Sequence, residues 1–204
     1  MEKLKKYQVL FCALIGKYTV NDEQTFAFLI VADNHGRELI NPQPQLHLMI
    51  AGPGGARKSQ VFDAFGEFYF MLEHAYQLKI TAPTALSANN VGGSTTHSKS
   101  SLRVKRKALH ADGHQDEMLC SNLEEHFQGI TIMITDEIYF LGASDIGLLS
   151  ENLKIARHII SSVFGNLNVI FAGDAAQLPP SKAVSLFDHT LLQCYESNDM
   201  NGLN

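Results

Sequence analysis

The sequence predicts an α/β fold: a mostly parallel sheet with helices on both faces, built around a phosphate-binding loop. Three observations predict it. Short β-rich apolar runs alternate with spans of helical period, which implies parallel strands joined by covering helices. A glycine-rich turn ending in Lys58-Ser59 stands between one such run and one such helix, the context a P-loop requires. Two later apolar runs end directly in polar loops, at Asp136 and at Gly173, where ligands bind in an open α/β sheet.

Size and composition allow this and exclude other classes. The chain has 204 residues and a net charge of −5, from 16 Lys and Arg against 21 Asp and Glu. That length suits one large domain or a tight pair of domains. An apolar fraction of 45% with 18% charged residues excludes wholesale disorder. The mild acidity argues against binding nucleic acid by bulk charge, while leaving room for a local basic strip. Cys12, Cys120 and Cys194 are far apart and form no CxxC pair, which points to free thiols in a reducing compartment.

The elements follow in order. Lys3, Lys5 and Lys6 precede the apolar run Val9 to Ile15, which imitates a signal peptide. Gln8 interrupts its start, Gly16-Lys17-Tyr18 offers no small-residue cleavage site, and the run falls short of the roughly 20 residues a membrane span needs. It is expected to pack on the core as a helix or strand, residues 1–19 forming an N-terminal helix or extension. Leu46 to Ile50 reads as a strand, followed by the turn Gly52-Pro53-Gly54-Gly55-Ala56-Arg57-Lys58-Ser59. From Ser59 the apolar residues Val61, Phe62, Phe65, Phe68, Tyr69 and Leu72 recur at helical spacing. Leu78 to Thr81 is a strand, and Ala85 to Asn90 a short helix closed by Gly92-Gly93. Lys99 to Gln128 lacks a clear period and reads as an insertion or surface loop. Ile130 to Thr135 is β-rich, Leu148 to Phe164 is helical by period, and Asn168 to Ala172 is a buried strand.

The chemistry of the turn is specific. Backbone N–H groups of a glycine-rich loop point at phosphate oxygens, and the following helix N-terminus adds partial positive charge. Lys58 is placed to reach the outer phosphates, and the Ser59 hydroxyl to ligate Mg²⁺. One residue departs from the G-x-x-x-x-G-K-[ST] pattern: Arg57 stands where glycine is expected. If that position needs positive φ, a side chain there costs roughly 1–3 kcal/mol. That is about ten- to a hundredfold in affinity, some of it recoverable if the guanidinium pairs with phosphate. Asp136 at a strand end can hold Mg²⁺ through water, with Glu137 as the base that activates the attacking water. Gln177, in the constrained stretch Gly173-Asp174-Ala175-Ala176-Gln177-Leu178-Pro179-Pro180, suits sensing a γ-phosphate or orienting water.

From about Val20 to about Phe187 these segments together resemble the Pif family of DNA helicases, whose members move 5′ to 3′ on single strands. Val20 to Phe28 resembles the family's upstream segment, which assigns an adenine-reading role to Gln24. Gly52 to Ser59 resembles its Walker A motif, with the Arg57 departure, and makes the whole octamer the nucleotide-binding loop. Thr81 to Ala85 with Asn89 to Ser98 is similar to motif Ia, which touches the DNA backbone, though Ala85 replaces a usual glycine. That similarity marks Thr84 and His97 as DNA contacts; a packing or capping role for His97 stays open. Ile134 to Glu137 resembles Walker B, and Gly173 to Pro180 resembles motif III.

The resemblance implies a RecA-like ATPase domain over 20–187, with ATP and Mg²⁺ as cofactors. It implies single-stranded DNA or DNA junctions as partners, no membrane, and an intracellular setting, the nucleus by family. It further implies that a full motor needs a second RecA-like domain carrying an arginine finger, and that residues 188–204 are a tail. Lys99, Arg103, Lys105, Arg106 and Lys107 lie where the family inserts a DNA-facing subdomain; a solvated loop balanced by Asp112, Asp116 and Glu117 is the alternative. His110, His114 and Cys120 lack a full metal-ligand set. Two other readings remain: a decayed or truncated, non-hydrolysing nucleotide- or DNA-binding module, favoured by Arg57 and by the expected lack of the second domain in these 204 residues, and a small kinase, which leaves the octamer at Gly173 and the motif at Thr81 unexplained.

Overall fold

The structure, a computed structural model, describes residues 2–96, 100, 117–174, 176 and 184–185, with the side chains of 2–6 left aside. Its centre is a five-stranded sheet: β1 (His47–Ala51), β2 (Leu78–Ala82), β3 (Ser94–Thr95), β4 (Ile132–Thr135) and β5 (Asn168–Gly173). The spatial order is β1-β5-β4-β2-β3, and every pairing is parallel. Parallel strands need crossovers, and those here are helical: α3 (Lys58–Met71), α4 (Ala85–Asn90), α5 (Glu117–Phe127) and α6 (Ala143–Arg157). Ahead of the sheet come α1 (Glu2–Tyr18) and α2 (Asp22–Glu38).

Alternation along the central strands divides the interior into two cores. Ile132 and Ile134 of β4, with Ile170 and Ala172 of β5, pack with Phe28 of α2 and Phe62, Phe65 and Phe68 of α3. Met133 and Val169 point the other way, into a cluster with Leu123 and Phe127 of α5 and Leu149 and Leu153 of α6. Successive strand side chains face opposite ways, so this split is what a sheet covered on both faces requires. The run Val9 to Ile15 lies inside α1, where Leu10 and Leu14, four apart, are buried against the first core. No described helix is long and apolar enough to cross a membrane.

Three boundaries differ from the sequence reading. The helix expected over Leu148 to Phe164 runs instead from Ala143 to Arg157. Its start is set by Asp145, whose carboxylate accepts from Gly142 N–H at 3.1 Å, and its end by His158 at φ 56°. Phe164 extends the apolar period but sits in a separate 3₁₀ turn, Val163–Asn166. Second, the span Lys99 to Gln128 is not loop throughout, because residues 117–127 form α5. Leu119, Leu123 and Phe127, four apart, carry its inward stripe; the period is helical, but it closes a long span whose earlier part is polar and charged. Apart from Ser100 and Gln128, the rest of that span, including the basic cluster and His110 and His114, lies outside the described residues. Third, the short edge strand β3 carries no apolar run to announce it.

Candidate active site

The phosphate loop joins β1 to α3, and β1 is an edge strand whose inner neighbour is β5. The last residues of β1, β4 and β5 therefore come out side by side at one end of the sheet. Gly52 N–H continues the ladder by donating to Gly173 O at 3.1 Å. Within the loop Ala56 N–H donates to Pro53 O at 3.1 Å, and Gly55 has φ 80°. Arg57 is the N-cap of α3 and is left-handed, φ 57° and ψ 34°, with no side-chain capping bond. The position does demand the conformation that glycine adopts freely, so the strain anticipated for Arg57 is present.

Two neighbours brace that strained turn. Gln24 donates from Nε2 to Ala56 O at 2.9 Å and to Arg57 O at 3.3 Å. Its Oε1 meanwhile accepts from Asn21 N–H at 2.9 Å, and Asn21 Oδ1 accepts from Gln24 N–H at 2.8 Å. This capping box fixes the start of α2 and aims Gln24 at the loop. Lys58 Nζ, part-buried, donates to Gly52 O at 2.7 Å and Pro53 O at 3.1 Å, so its ammonium lies across the mouth of the same loop. A cavity of about 370 Å³ opens beside it, between Phe26, Ala27 and Ile30 of α2 and Leu48 to Ala51 of β1. Its wall is mostly apolar, with Gln24 and Lys58 at the loop end.

Opposite the loop stand three carboxylates. Asp136 is buried, 7% exposed, and its Oδ1 accepts from Glu137 N–H at 2.9 Å. Burial pushes its carboxyl above the usual carboxylate range, against that backbone bond and the nearby Lys58 charge. Glu137 is also raised, first by burial and then by the Asp136 charge, with Lys58 opposing and Asp174 adding. Its backbone is left-handed at φ 54°, a conformation that re-aims the chain directly after β4. Asp174 is held low by hydrogen bonds from Ala176 N–H at 2.9 Å and Gly54 N–H at 2.6 Å. Lys58 thus feels all three acids, which places Walker-A-like and Walker-B-like residues face to face. Ser59, in the first turn of α3, is exposed on the same loop.

Thr84 is exposed at the start of α4, where its hydroxyl accepts from Ser87 N–H at 3.1 Å and shares a 2.7 Å hydrogen bond with the Ser87 hydroxyl. It stands beyond β2, two strands away from the phosphate loop's neighbour β5. Gln177 and His97 lie outside the described residues. Sequence reasoning passed over Asp174 and Asn21. The signal for Asp174 was present, an acid directly after a buried strand like Asp136. Asn21 had the capping-box spacing to Gln24.

Comparison with known proteins now decides the family. The model of the PIF1-like helicase family matches residues 19–192. The chain belongs to that family. Among curated relatives, the ATP-dependent DNA helicase Pif1 of Psychrobacter sp. is 27% identical over 137 residues, covering 66% of this chain and 20% of its own length. The ATP-dependent DNA helicase RRM3 of Saccharomyces cerevisiae is 27% identical over 160 residues, 74% of this chain and 20% of its own. An uncharacterized protein of Invertebrate iridescent virus 6 is 26% identical over 172 residues, so bacterial and viral relatives accompany the yeast one and the family does not point to a nucleus. The chain spans about a fifth of the length of the two named helicases. Of solved structures, Pif1 helicase from Candida albicans superposes with a TM-score of 0.65 at 21% identity, over 82% of this chain and 36% of that one. Pif1 helicase from Bacteroides, in complex with ADP-AlF3 and ssDNA, gives 0.57 at 19% identity over 86% and 36%. Together with the parallel sheet, these likenesses establish an α/β P-loop NTPase fold of RecA-like type.

Proposed function

We propose that this Pif1-like chain is the nucleotide-binding lobe of a DNA helicase, taking Mg·ATP at Gly52 to Ser59 and coupling its hydrolysis to 5′ to 3′ movement on single-stranded DNA. The observation that carries this is the placement of Lys58 among Asp136, Glu137 and Asp174 at the end of a parallel sheet. The first N–H groups of α3 have no partner four residues back, and together with the loop they suit a phosphate chain. Lys58 is the group to leave its carbonyl partners and meet the outer phosphates. The donor set suits a hard cation, since Mg²⁺ keeps several waters and asks of a protein only one or two oxygen ligands: the Ser59 hydroxyl would hold it directly and Asp136 through water. When bound, the ion neutralises charge on the outer phosphates.

The remaining steps fall to side chains. Glu137, made more basic by burial and by its acidic neighbours, is suited to take the proton of the attacking water. Gln177 is proposed to orient that water, and Gln24 to read the base by exchanging its Nε2 bonds to the loop carbonyls for the base, since the apolar cavity lies directly beside it. A second RecA-like lobe is proposed to complete the pocket with an arginine finger, a group worth on the order of 10³–10⁵ in rate. The 204 residues by themselves are therefore expected to bind nucleotide but turn it over very slowly. Thr84 and His97 are the proposed DNA-backbone contacts, offering polar groups that read no base.

Arg57 in its left-handed conformation favours a second reading, a module that binds nucleotide or DNA without hydrolysis. Phosphate release from the purified chain, with and without single-stranded DNA, separates the two. Release that DNA stimulates and Glu137→Gln abolishes supports the motor lobe. Tight binding of Mg·ADP with no release above the Glu137→Gln background supports the non-hydrolysing module.

A further inference from the structure

Strands β1 and β5 are in parallel register as far as Ala51 and Gly173, and Gly52 N–H adds one more rung on Gly173 O. There the backbone ladder has to stop, because Pro53 has no N–H and the loop turns away. Asp174 continues the connection with its side chain. Oδ2 accepts from Gly54 N–H at 2.6 Å, across 120 residues of sequence, and Oδ1 accepts from Ala176 N–H at 2.9 Å. Both bonds are charge-assisted, the shorter and stronger class. The second is a local turn that Asp commonly makes two residues on; the first is not local, and turn formation does not explain it. The preceding residue is fixed as well. A Cβ on Gly173 would lie 2.6 Å from Tyr139 Cδ2, so the backbone there approaches the ring as only glycine allows.

We propose that Asp174 is a positioning residue that ties the apex of the phosphate loop to the backbone of Ala176, so that a shift of Gly54 is passed to Ala176 through one rigid carboxylate. The carboxylate is planar, and neither oxygen can move without the other. It sits 9% exposed between the two amides, and the β1–β5 ladder holds the two chains at fixed spacing behind it. Gly54 N–H is thereby committed, which leaves the cradle for phosphate to the amides after it. This inference rests on the nucleotide reading above and adds to it a mechanical link between the loop and the backbone of Ala176.

The test is an amide-resolved titration of the ¹⁵N-labelled 204-residue chain with Mg·ADP, repeated on Asp174→Asn. The variant keeps the shape but sets an N–H donor against one of the two amides. In the wild type, the resonances of Gly55 and Lys58 and that of Ala176 are expected to shift together. In Asp174→Asn, Gly55 and Lys58 still shift, and Ala176 loses its response. A response of Ala176 equal in both proteins, or absent in the wild type while Gly55 and Lys58 move, overturns the link and leaves the nucleotide reading standing. If Mg·ADP moves neither Gly55 nor Lys58 in the wild type, the nucleotide reading falls and takes the link with it. Should Asp174→Asn not fold, Asp174→Ser, whose hydroxyl can accept from only one of the amides, is read by the same criteria.

Discussion

At the residue scale the loop combines a defect with its brace. Arg57 occupies a left-handed turn without a capping bond, and Gln24 holds the two carbonyls beside it. Arg57→Gly removes steric strain of about 1 kcal/mol, so the melting temperature should rise by about 2–4 °C. Scanning calorimetry checks this; a fall in melting temperature would mean that the guanidinium holds the turn in place. Gln24→Ala removes two hydrogen bonds from the loop, each worth about 1 kcal/mol, and Mg·ADP affinity should drop by about tenfold or more. Isothermal titration reads it, and an unchanged Kd would show that the brace does not shape the loop. The sequence already displayed the Arg57 departure, since glycine spacing is a one-dimensional pattern. The contact of Gln24 with the Ala56 carbonyl was not legible, because it joins backbone atoms 32 residues away across an interface.

At the element scale, the junction of α2 with α3 contains a buried histidine. His35 is 3% exposed, shares a 3.0 Å hydrogen bond with His74, and packs among Tyr7, Phe68 and Tyr69. Burial, and secondarily the His74 charge, push its pKa down to about 4 from 6.5. Above pH 6.5 folded and unfolded states are both neutral there. Below it the unfolded chain takes a proton that the folded one refuses, so stability falls from pH 6.5 towards 4. At pH 5 the loss from this residue is about 2 kcal/mol. Urea midpoints at pH 7 and pH 5 should show it, and His35→Phe should flatten that part of the slope; an unchanged slope in the variant would assign the acid sensitivity elsewhere. Dense stripes such as Phe62, Phe65 and Phe68 made α3 readable from sequence. Helix α5 carries a helical stripe too, Leu119, Leu123 and Phe127 at four-residue spacing, but only over the last turns of a span whose earlier part is polar and charged, so the span as a whole shows no period. The boundaries of α6 were set by Asp145 and by the left-handed His158, features of capping that apolar period does not encode.

Across the whole molecule, the strand order puts the phosphate loop at the sheet edge and the two acid-bearing strands beside it. Parallel pairing and coverage of both faces could be read from alternating strands and helices. The order β1-β5-β4-β2-β3 could not, since period says which face a residue takes and nothing about which strand lies next. A consequence of that order is that Lys58, Asp136, Glu137 and Asp174, the groups proposed for catalysis and nucleotide binding, gather at one end of the sheet, where a second lobe is proposed to complete the pocket. Steady-state phosphate release by the 204-residue chain should therefore stay near background even when nucleotide binds well, and turnover of about 1 s⁻¹ or more, typical of complete enzymes, would mean that no arginine finger is needed.

Whether Gly52 to Ser59 form a working nucleotide site is decided by the melting temperature with and without Mg·ADP, in the wild type and in Lys58→Ala. At a hundredfold excess over Kd, binding adds about 2.7 kcal/mol, which for a chain of this size is a rise on the order of 5–10 °C. That rise is expected in the wild type and is lost in Lys58→Ala. No rise at millimolar Mg·ADP in the wild type or in Arg57→Gly, or an equal rise in Lys58→Ala, would contradict it.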